Sequence, residues 1–291
     1  MHVSRRIVAF VFLLLSMTFG SAMAATVHSF VVSDVVVNSG EARQIESFVR
    51  FISQKTGYPM QAIFTANYTE LSNTLRNHPD SVGWTCGAPY VEDHKAYGQQ
   101  LIAVPLFRGK PLYHSIILTQ RGRKEKRLAD FKGEVLAYSD IRSNSGFISP
   151  AYALHEKNID ISKYFRVAID TGSHENSIAA LLGGLADVAA VDEYVWVEYV
   201  KSHPEVANKL VELERMGPYP FTPIVAGNGL DAATMKKMED VLTGMQSDPQ
   251  GKTLLKDFGL DGFAIEPDSF YAPIAKMLKA VRPDGRNGMT P

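Results

Sequence analysis

The residues best suited to chemistry lie in one run, Tyr138-Ser-Asp-Ile-Arg-Ser-Asn-Ser-Gly-Phe-Ile-Ser-Pro150, where an apolar strand end passes through Ser143, Asn144, Ser145 and Gly146 into a helical pattern. The first turn of a helix carries unpaired backbone N–H groups and the positive end of the helix dipole. The Ser143 and Ser145 hydroxyls add donors without a countercharge, so the run suits an anion. It also suits an ordinary N-cap, because Ser and Asn are favoured there. A second helix start follows at Thr171-Gly-Ser-His-Glu-Asn-Ser177, with Ser173 as cap and His174 in the first turn. His174 there either donates to an anionic ligand or serves as a surface or packing histidine. The run Ala189-Ala-Val-Asp192 puts a carboxylate at the carboxyl edge of a sheet, where ligands gather in open α/β folds. Asp192 then holds a cationic part of the ligand or caps the next helix. Tyr68, opening a helix, and Tyr90, in Trp84-Thr-Cys-Gly-Ala-Pro-Tyr90, offer aromatic walls for an apolar or ammonium-bearing tail. Core packing is the other reading of Trp84 and Tyr90.

Several chemistries are excluded. A Ser145–His174 dyad lacks the Gly-x-Ser-x-Gly elbow that would present its serine. Gly251-Lys252-Thr253 lacks the earlier glycine of a phosphate loop, since Gln246 stands there. No His-x-x-His or Glu-x-x-His spacing supports a metal. The single cysteine, Cys86, forms no intramolecular disulfide and reads as a small buried residue. The expectation is therefore a binding protein that is not an enzyme and needs no cofactor.

The elements that must position these residues alternate between apolar strand-like runs and amphipathic helical ones, which predicts an α/β architecture. Strands are expected at Val27–Val37, Met60–Phe64, Ser81–Trp84, Gln100–Phe107, Tyr113–Thr119, Glu134–Tyr138, Val188–Val191 and Pro223–Ala226. Helical periodicity covers Ala42–Gln54, Tyr68–Arg76, Ile178–Leu185 and Met235–Met245. Two Gly- and Pro-bearing segments, Pro105–Tyr113 and Met216–Pro223, read as paired hinge crossings. They imply a discontinuous first lobe (25–110 and 220–291) around an inserted second lobe (111–219), with the ligand in the central cleft between them.

The chain opens with Arg5 and Arg6, an apolar run from Ile7 to Leu15 and small residues up to Ala24, the pattern of a cleavable signal peptide over residues 1–24. No cysteine follows the expected cut to take a lipid, so a free periplasmic protein is expected. With 30 basic and 31 acidic side chains, loss of Arg5 and Arg6 moves the formal charge from -1 to -3, which argues against nucleic acid as a partner. At 45% hydrophobic residues the remaining chain can fill two ordinary cores, and a monomer is the default expectation.

Taken together these segments resemble the periplasmic phosphate-, phosphite- and phosphonate-binding subunits of ABC importers. The landmarks, in order, are Thr56-Gly-Tyr-Pro, Ala66-Asn-Tyr68, Gly87-Ala-Pro-Tyr-Val91, Ser143-Asn-Ser-Gly146 with Pro150, Gly172-Ser-His-Glu175, Ala186-Asp-Val-Ala-Ala-Val-Asp192, Gly251-Lys-Thr-Leu-Leu and Phe258-Gly-Leu-Asp-Gly-Phe263. The resemblance implies a type II periplasmic binding protein fold, two lobes joined by two hinge crossings. It further implies that Ser143, Asn144, Ser145 and Gly146 receive a phosphorus oxyanion and that His174 donates to it. Tyr68 and Tyr90 would face it from the opposite lobe, and Asp192 would answer an amino group. The expected partner is an ABC permease, with a membrane sensor kinase as the alternative, and a sulfonate or sulfate is the alternative ligand. Trp84-Thr-Cys86 departs from the family's usual aromatic-Gly-Pro, and Asn144 replaces its commoner small hydroxyl residue.

Overall fold

The computed structural model describes residues 26–33, 35 and 42–282; the expected signal segment lies outside the described residues. In chain order the elements are β1 (His28–Ser33), α1 (Ala42–Thr56), β2 (Met60–Thr65), α2 (Tyr68–Asn77), β3 (Val82–Trp84), α3 (Gly87–Tyr97), β4 (Gln100–Leu106), β5 (Leu112–Gln120), β6 (Val135–Tyr138), α4 (Ser149–His155), α5 (Ile161–Tyr164), β7 (Val167–Asp170), α6 (His174–Leu182), β8 (Val188–Asp192), α7 (Glu193–Ser202), β9 (Leu210–Pro220), β10 (Ile224–Ala226), α8 (Ala232–Gly244), α9 (Pro249–Asp257), β11 (Gly262–Ala264) and α10 (Ala272–Val281). A wide helical turn, Asn144–Ile148, leads into α4.

These strands make two sheets, ordered β11-β4-β10-β3-β1-β2 and β7-β6-β8-β5-β9. In the first, β1 is parallel to β2 and β3, whereas β10 is antiparallel to β3 and β4. In the second, β6 is parallel to β7 and β8, and β5 is antiparallel to β8 and β9. The chain passes between sheets twice, after β4 and after β9. Arg108 and Gly109 turn the first passage with φ of 52° and 73°. The Phe221 N–H donates to the Pro111 carbonyl at 2.9 Å, so the two passages lie side by side. Adjacent strap-like passages let two packed bodies rotate about a shared axis.

Three strands differ from the sequence reading. Met216–Pro220, read as part of a crossing, belongs to β9, which pairs with β5 as far as Leu112 opposite Pro220. Only 221–223 crosses. Proline is tolerated there because β9 is the sheet edge, where a missing donor costs no ladder bond. Edge strand β7, with Val167 44% exposed, lacks the apolar alternation that marks buried strands, and β11 spans only Gly262–Ala264. Of the strand expected over Val27–Val37, β1 covers His28–Ser33, and residues 34, 36 and 37 lie outside the described residues.

The first core centres on Phe48 of α1, whose ring lies 5.6–6.0 Å from those of Phe30, Trp84, Phe258 and Phe263. Trp84 is core, and its indole N–H donates to Thr222 Oγ1 at 3.1 Å, which satisfies its one polar group. Ile116, Leu118, Ile178, Leu181 and Val191 fill the space between the second sheet and α6. We expect Phe48→Ala to cost about 3–5 kcal/mol in chemical denaturation, because four aromatic neighbours cannot collapse into the cavity together. A loss below about 1 kcal/mol would show that they repack.

Candidate functional site

The anion-type helix start forms as β6 leaves its sheet. Ser143 adopts extended backbone, and its Oγ accepts from the Gly146 N–H at 3.0 Å. The Ser143 carbonyl accepts from both Phe147 and Ile148 N–H, at 3.1 and 3.0 Å, which widens this turn. The Asn144 N–H donates to Cys86 Sγ at 3.3 Å. The Ser145 N–H lies in the first turn, where a helix offers no acceptor of its own. Gly146 is required by space: a Cβ there would collide with the Ser139 hydroxyl and lie 3.0 Å from Ser143 Oγ. Ser139, Ser143, Asn144 and Ser145 are all fully buried.

Ser173 caps α6 through the Asn176 N–H at 3.0 Å and so places His174 beside that turn. The Asp192 backbone N–H donates to His174 Nδ1 at 3.2 Å. A nitrogen that accepts a hydrogen bond carries no proton, so in the neutral ring the proton sits on Nε2. Nε2 lies 3.4 Å from Ser139 Oγ and 3.5 Å from Ser143 Oγ. Burial keeps the ring neutral by lowering its pKa to about 3. His174 is therefore an uncharged donor facing the helix start.

Asp192 divides its two oxygens. Oδ1 accepts the Tyr194 N–H at 2.8 Å and caps α7, while Oδ2 lies 3.4 Å from Ser145 Oγ. Burial raises its pKa to about 7, against the opposing pull of those bonds. The helix-capping and cleft-facing roles thus coexist in one side chain.

Tyr68 opens α2 under an Asn67 cap and faces the same place from the first sheet. It is fully buried, its hydroxyl has no hydrogen-bonding partner in the protein, and burial, then Cys86, Asp140, Tyr113 and Asp192, hold its pKa well above the ordinary value. Asn144 Oδ1 is likewise unpartnered, its Nδ2 being given to the Tyr113 hydroxyl at 3.0 Å. Buried polar atoms are nearly always paired, so two unpaired oxygens beside one helix start mark a place built for a further polar group. Tyr90 is placed elsewhere: its ring packs edge-on against Tyr271 at 4.9 Å and its hydroxyl donates to Asp268.

The structure thus brings Tyr68, Ser143, Asn144, Ser145, Gly146, His174 and Asp192 together and leaves Tyr90 apart. It adds Ser139, Tyr113 and Cys86, which the sequence reading did not assign to the site. Ser139 stands one residue past β6 and was legible as part of the same polar run. Tyr113 lies within β5, where a tyrosine looks like any core aromatic. Among the described residues no cluster of three or more His, Cys, Asp or Glu is placed to hold a metal.

Two predictions follow from these charges and contacts. Between pH 4 and 6.5 folded Asp192 binds a proton that the unfolded chain has lost, whereas folded His174 lacks one that the unfolded chain has gained. The two effects oppose each other, so stability is nearly flat there as far as this pair is concerned. His174→Asn leaves the Asp192 effect alone, and stability should then fall as pH rises from about 4 to about 7. Asp192→Asn should show the reverse, stability lost as pH falls from about 6.5 toward 3. Urea melts across this range check both slopes, and equal slopes in the two variants would contradict the assignment. Gly146→Ala should lower the melting temperature, with a cost of about 1–3 kcal/mol for the forced shift.

A family model described as the periplasmic substrate-binding protein of a phosphonate ABC transporter matches residues 37–271. The phosphonates-binding periplasmic protein of Escherichia coli (strain K12) is 24% identical over 235 residues, covering 79% of this chain and 69% of that protein. Among solved structures, a binding protein component of an ABC phosphonate transporter from Pseudomonas aeruginosa superposes with a TM-score of 0.81 at 23% identity, over 91% of this chain and 89% of the other. PhnD1 from Prochlorococcus marinus, solved in complex with methylphosphonate, gives 0.79 at 18% identity, over 88% and 98%. These likenesses show the type II periplasmic binding fold. With two sheets, two side-by-side passages and a polar helix start facing the opposite sheet, the chain belongs to the family of periplasmic substrate-binding proteins of phosphonate ABC transporters.

Proposed function

We propose that the chain is the substrate-binding subunit of a phosphonate importer. It captures the phosphorus oxyanion at the Ser143–Gly146 helix start by closing the lobe built on the first sheet against the lobe built on the second, whose last strand runs to Pro220. One observation carries the reading: a fully buried cradle of neutral donors, with the unpaired Tyr68 hydroxyl set against it from the other sheet. Hydrogen bonds to a charged group are worth about 1.5–3 kcal/mol each, so a few such donors hold an anion without a countercharge.

Capture without catalysis fits the geometry. Ser145 Oγ is directed to Asp192, and His174 Nε2, which faces Ser139 and Ser143, carries the ring's proton and so is not placed to act as their base. Removal of a signal peptide over residues 1–24, release into the periplasm as a monomer and handover to a membrane permease complete the proposal. Among the described residues no helix is long and apolar enough to cross a membrane.

The test is thermal unfolding of the refolded mature protein with phosphate, phosphite, methylphosphonate, 2-aminoethylphosphonate, sulfate and simple sulfonates. A ligand at 1,000 times its Kd stabilises by about 4 kcal/mol, which raises the melting temperature by several degrees. A shift confined to phosphorus compounds is the expected result, and a shift with sulfate or sulfonates alone overturns it. Ser145→Ala should weaken methylphosphonate binding by about 1.5–3 kcal/mol in calorimetry.

The charge state of Asp192 separates the ligand tails. A bare phosphonate beside it should favour its protonated form and take up protons on binding near pH 7, whereas an ammonium tail should favour the carboxylate and release them. Calorimetry in buffers of different ionisation enthalpy reads that sign directly.

A further inference from the structure

The turn that feeds the anion cradle is also bonded, residue by residue, to the other side of the cleft. Asp140 Oδ2 accepts the Tyr68 N–H at 3.1 Å. The Ile141 carbonyl accepts from Arg282, just past α10. Arg142 spreads its guanidinium over four groups: Nη1 donates to the Tyr68 carbonyl at 3.2 Å and Ser72 Oγ at 2.7 Å, Nη2 to Asp93 Oδ1 at 2.8 Å, and Nε to Glu92 Oε2 at 2.9 Å. Glu92 accepts in turn from Arg282 at 2.9 Å, and Ser72 donates to Asp93. Arg142 is 9% exposed and Asp93 4%.

Both backbone polar groups of Tyr68 are therefore held by two residues from the opposite sheet, and those residues stand immediately before Ser143. We propose that Arg142 is a positioning residue for capture: on closure its guanidinium, together with the Asp140 carboxylate, staples the Tyr68 backbone to the cradle turn and so delivers the Tyr68 hydroxyl to the bound anion. This rests on the reading that the cleft takes an oxyanion.

A planar fork is needed for the task. Three side-chain acceptors on two helices and a peptide carbonyl surround it, and an ammonium on a flexible stem cannot face them together. Burial holds the Asp93 carboxyl above the usual carboxylate range even with Arg142 beside it. A buried pair with that much desolvation adds little net stability and acts mainly through alignment. Arg142 also touches no cradle hydroxyl, so its effect should be blind to ligand chemistry.

Stopped-flow and calorimetric binding of methylphosphonate, phosphite and phosphate to Arg142→Lys, Asp93→Asn and the double variant test the idea, alongside small-angle X-ray scattering with and without ligand. Arg142→Lys should weaken all ligands that bind the wild type by a common factor of roughly ten or more, mostly through faster release. Asp93→Asn should do the same, and the double variant should be no worse than the weaker single one. Ligand-free destabilisation should be clearly smaller than the loss in binding, because the network joins the two sides of the cleft and fills neither core. Unchanged affinity and release rate, additive losses, or losses matched by ligand-free destabilisation would overturn the proposal in favour of a purely structural network. If the wild type binds none of the three anions, the capture reading fails on its own. The staple is then decided by ligand-free scattering, where a wider Arg142→Lys particle supports it and an unchanged one rejects it.

Discussion

The hydrogen bond from the Asp192 N–H to His174 Nδ1 is the contact on which the rest of the cleft depends. It joins the end of β8 to the start of α6, assigns the imidazole proton to Nε2, and aims that proton at Ser139 and Ser143. The outcome is a cluster of neutral donors at a helix start, the place proposed for the anion. A charged side chain in so dry a place would need its own partner. The cationic Arg142 nearby is indeed turned away, onto Glu92 and Asp93.

Neutral donors make recognition directional. Each N–H and O–H must meet an oxygen at the right angle, so the number and placement of oxygens on the ligand matter more than its charge. The same economy gives a reason for closure. With the sheets together, the Tyr68 hydroxyl and Asn144 Oδ1 are buried and unpaired, at a cost of about 1–3 kcal/mol apiece. A ligand that pairs with them favours the closed arrangement by its differential affinity alone. The two passages between sheets lie side by side, tied by the Phe221–Pro111 bond, as a hinge for the proposed closure requires.

Much of this was legible in the chain. Alternating apolar runs gave most strands of both sheets to within a few residues, since burial on a pleated face imposes a period of two whatever lies beyond it. The helix starts at Ser143 and Ser173 were legible for a similar reason: capping depends on residues three apart in sequence. The edge strands β7 and β9 and the short β11 were not, because exposure and prolines erase the alternation.

The sequence by itself determined the elements, the two caps and the polar character of the helix start, all of which arise from neighbours along the chain. Only the tertiary structure decided which of those polar residues share a site. Tyr68 and Tyr90 look equivalent in sequence, yet Tyr271 and Asp268, far along the chain, draw Tyr90 away while Asp140 and Arg142 hold Tyr68 in place. The tautomer of His174, the divided carboxylate of Asp192 and the burial that shifts both their pKa values are likewise set by contacts across the fold. Electrostatics in a dry cleft depends on distances through space, and local sequence carries no record of them.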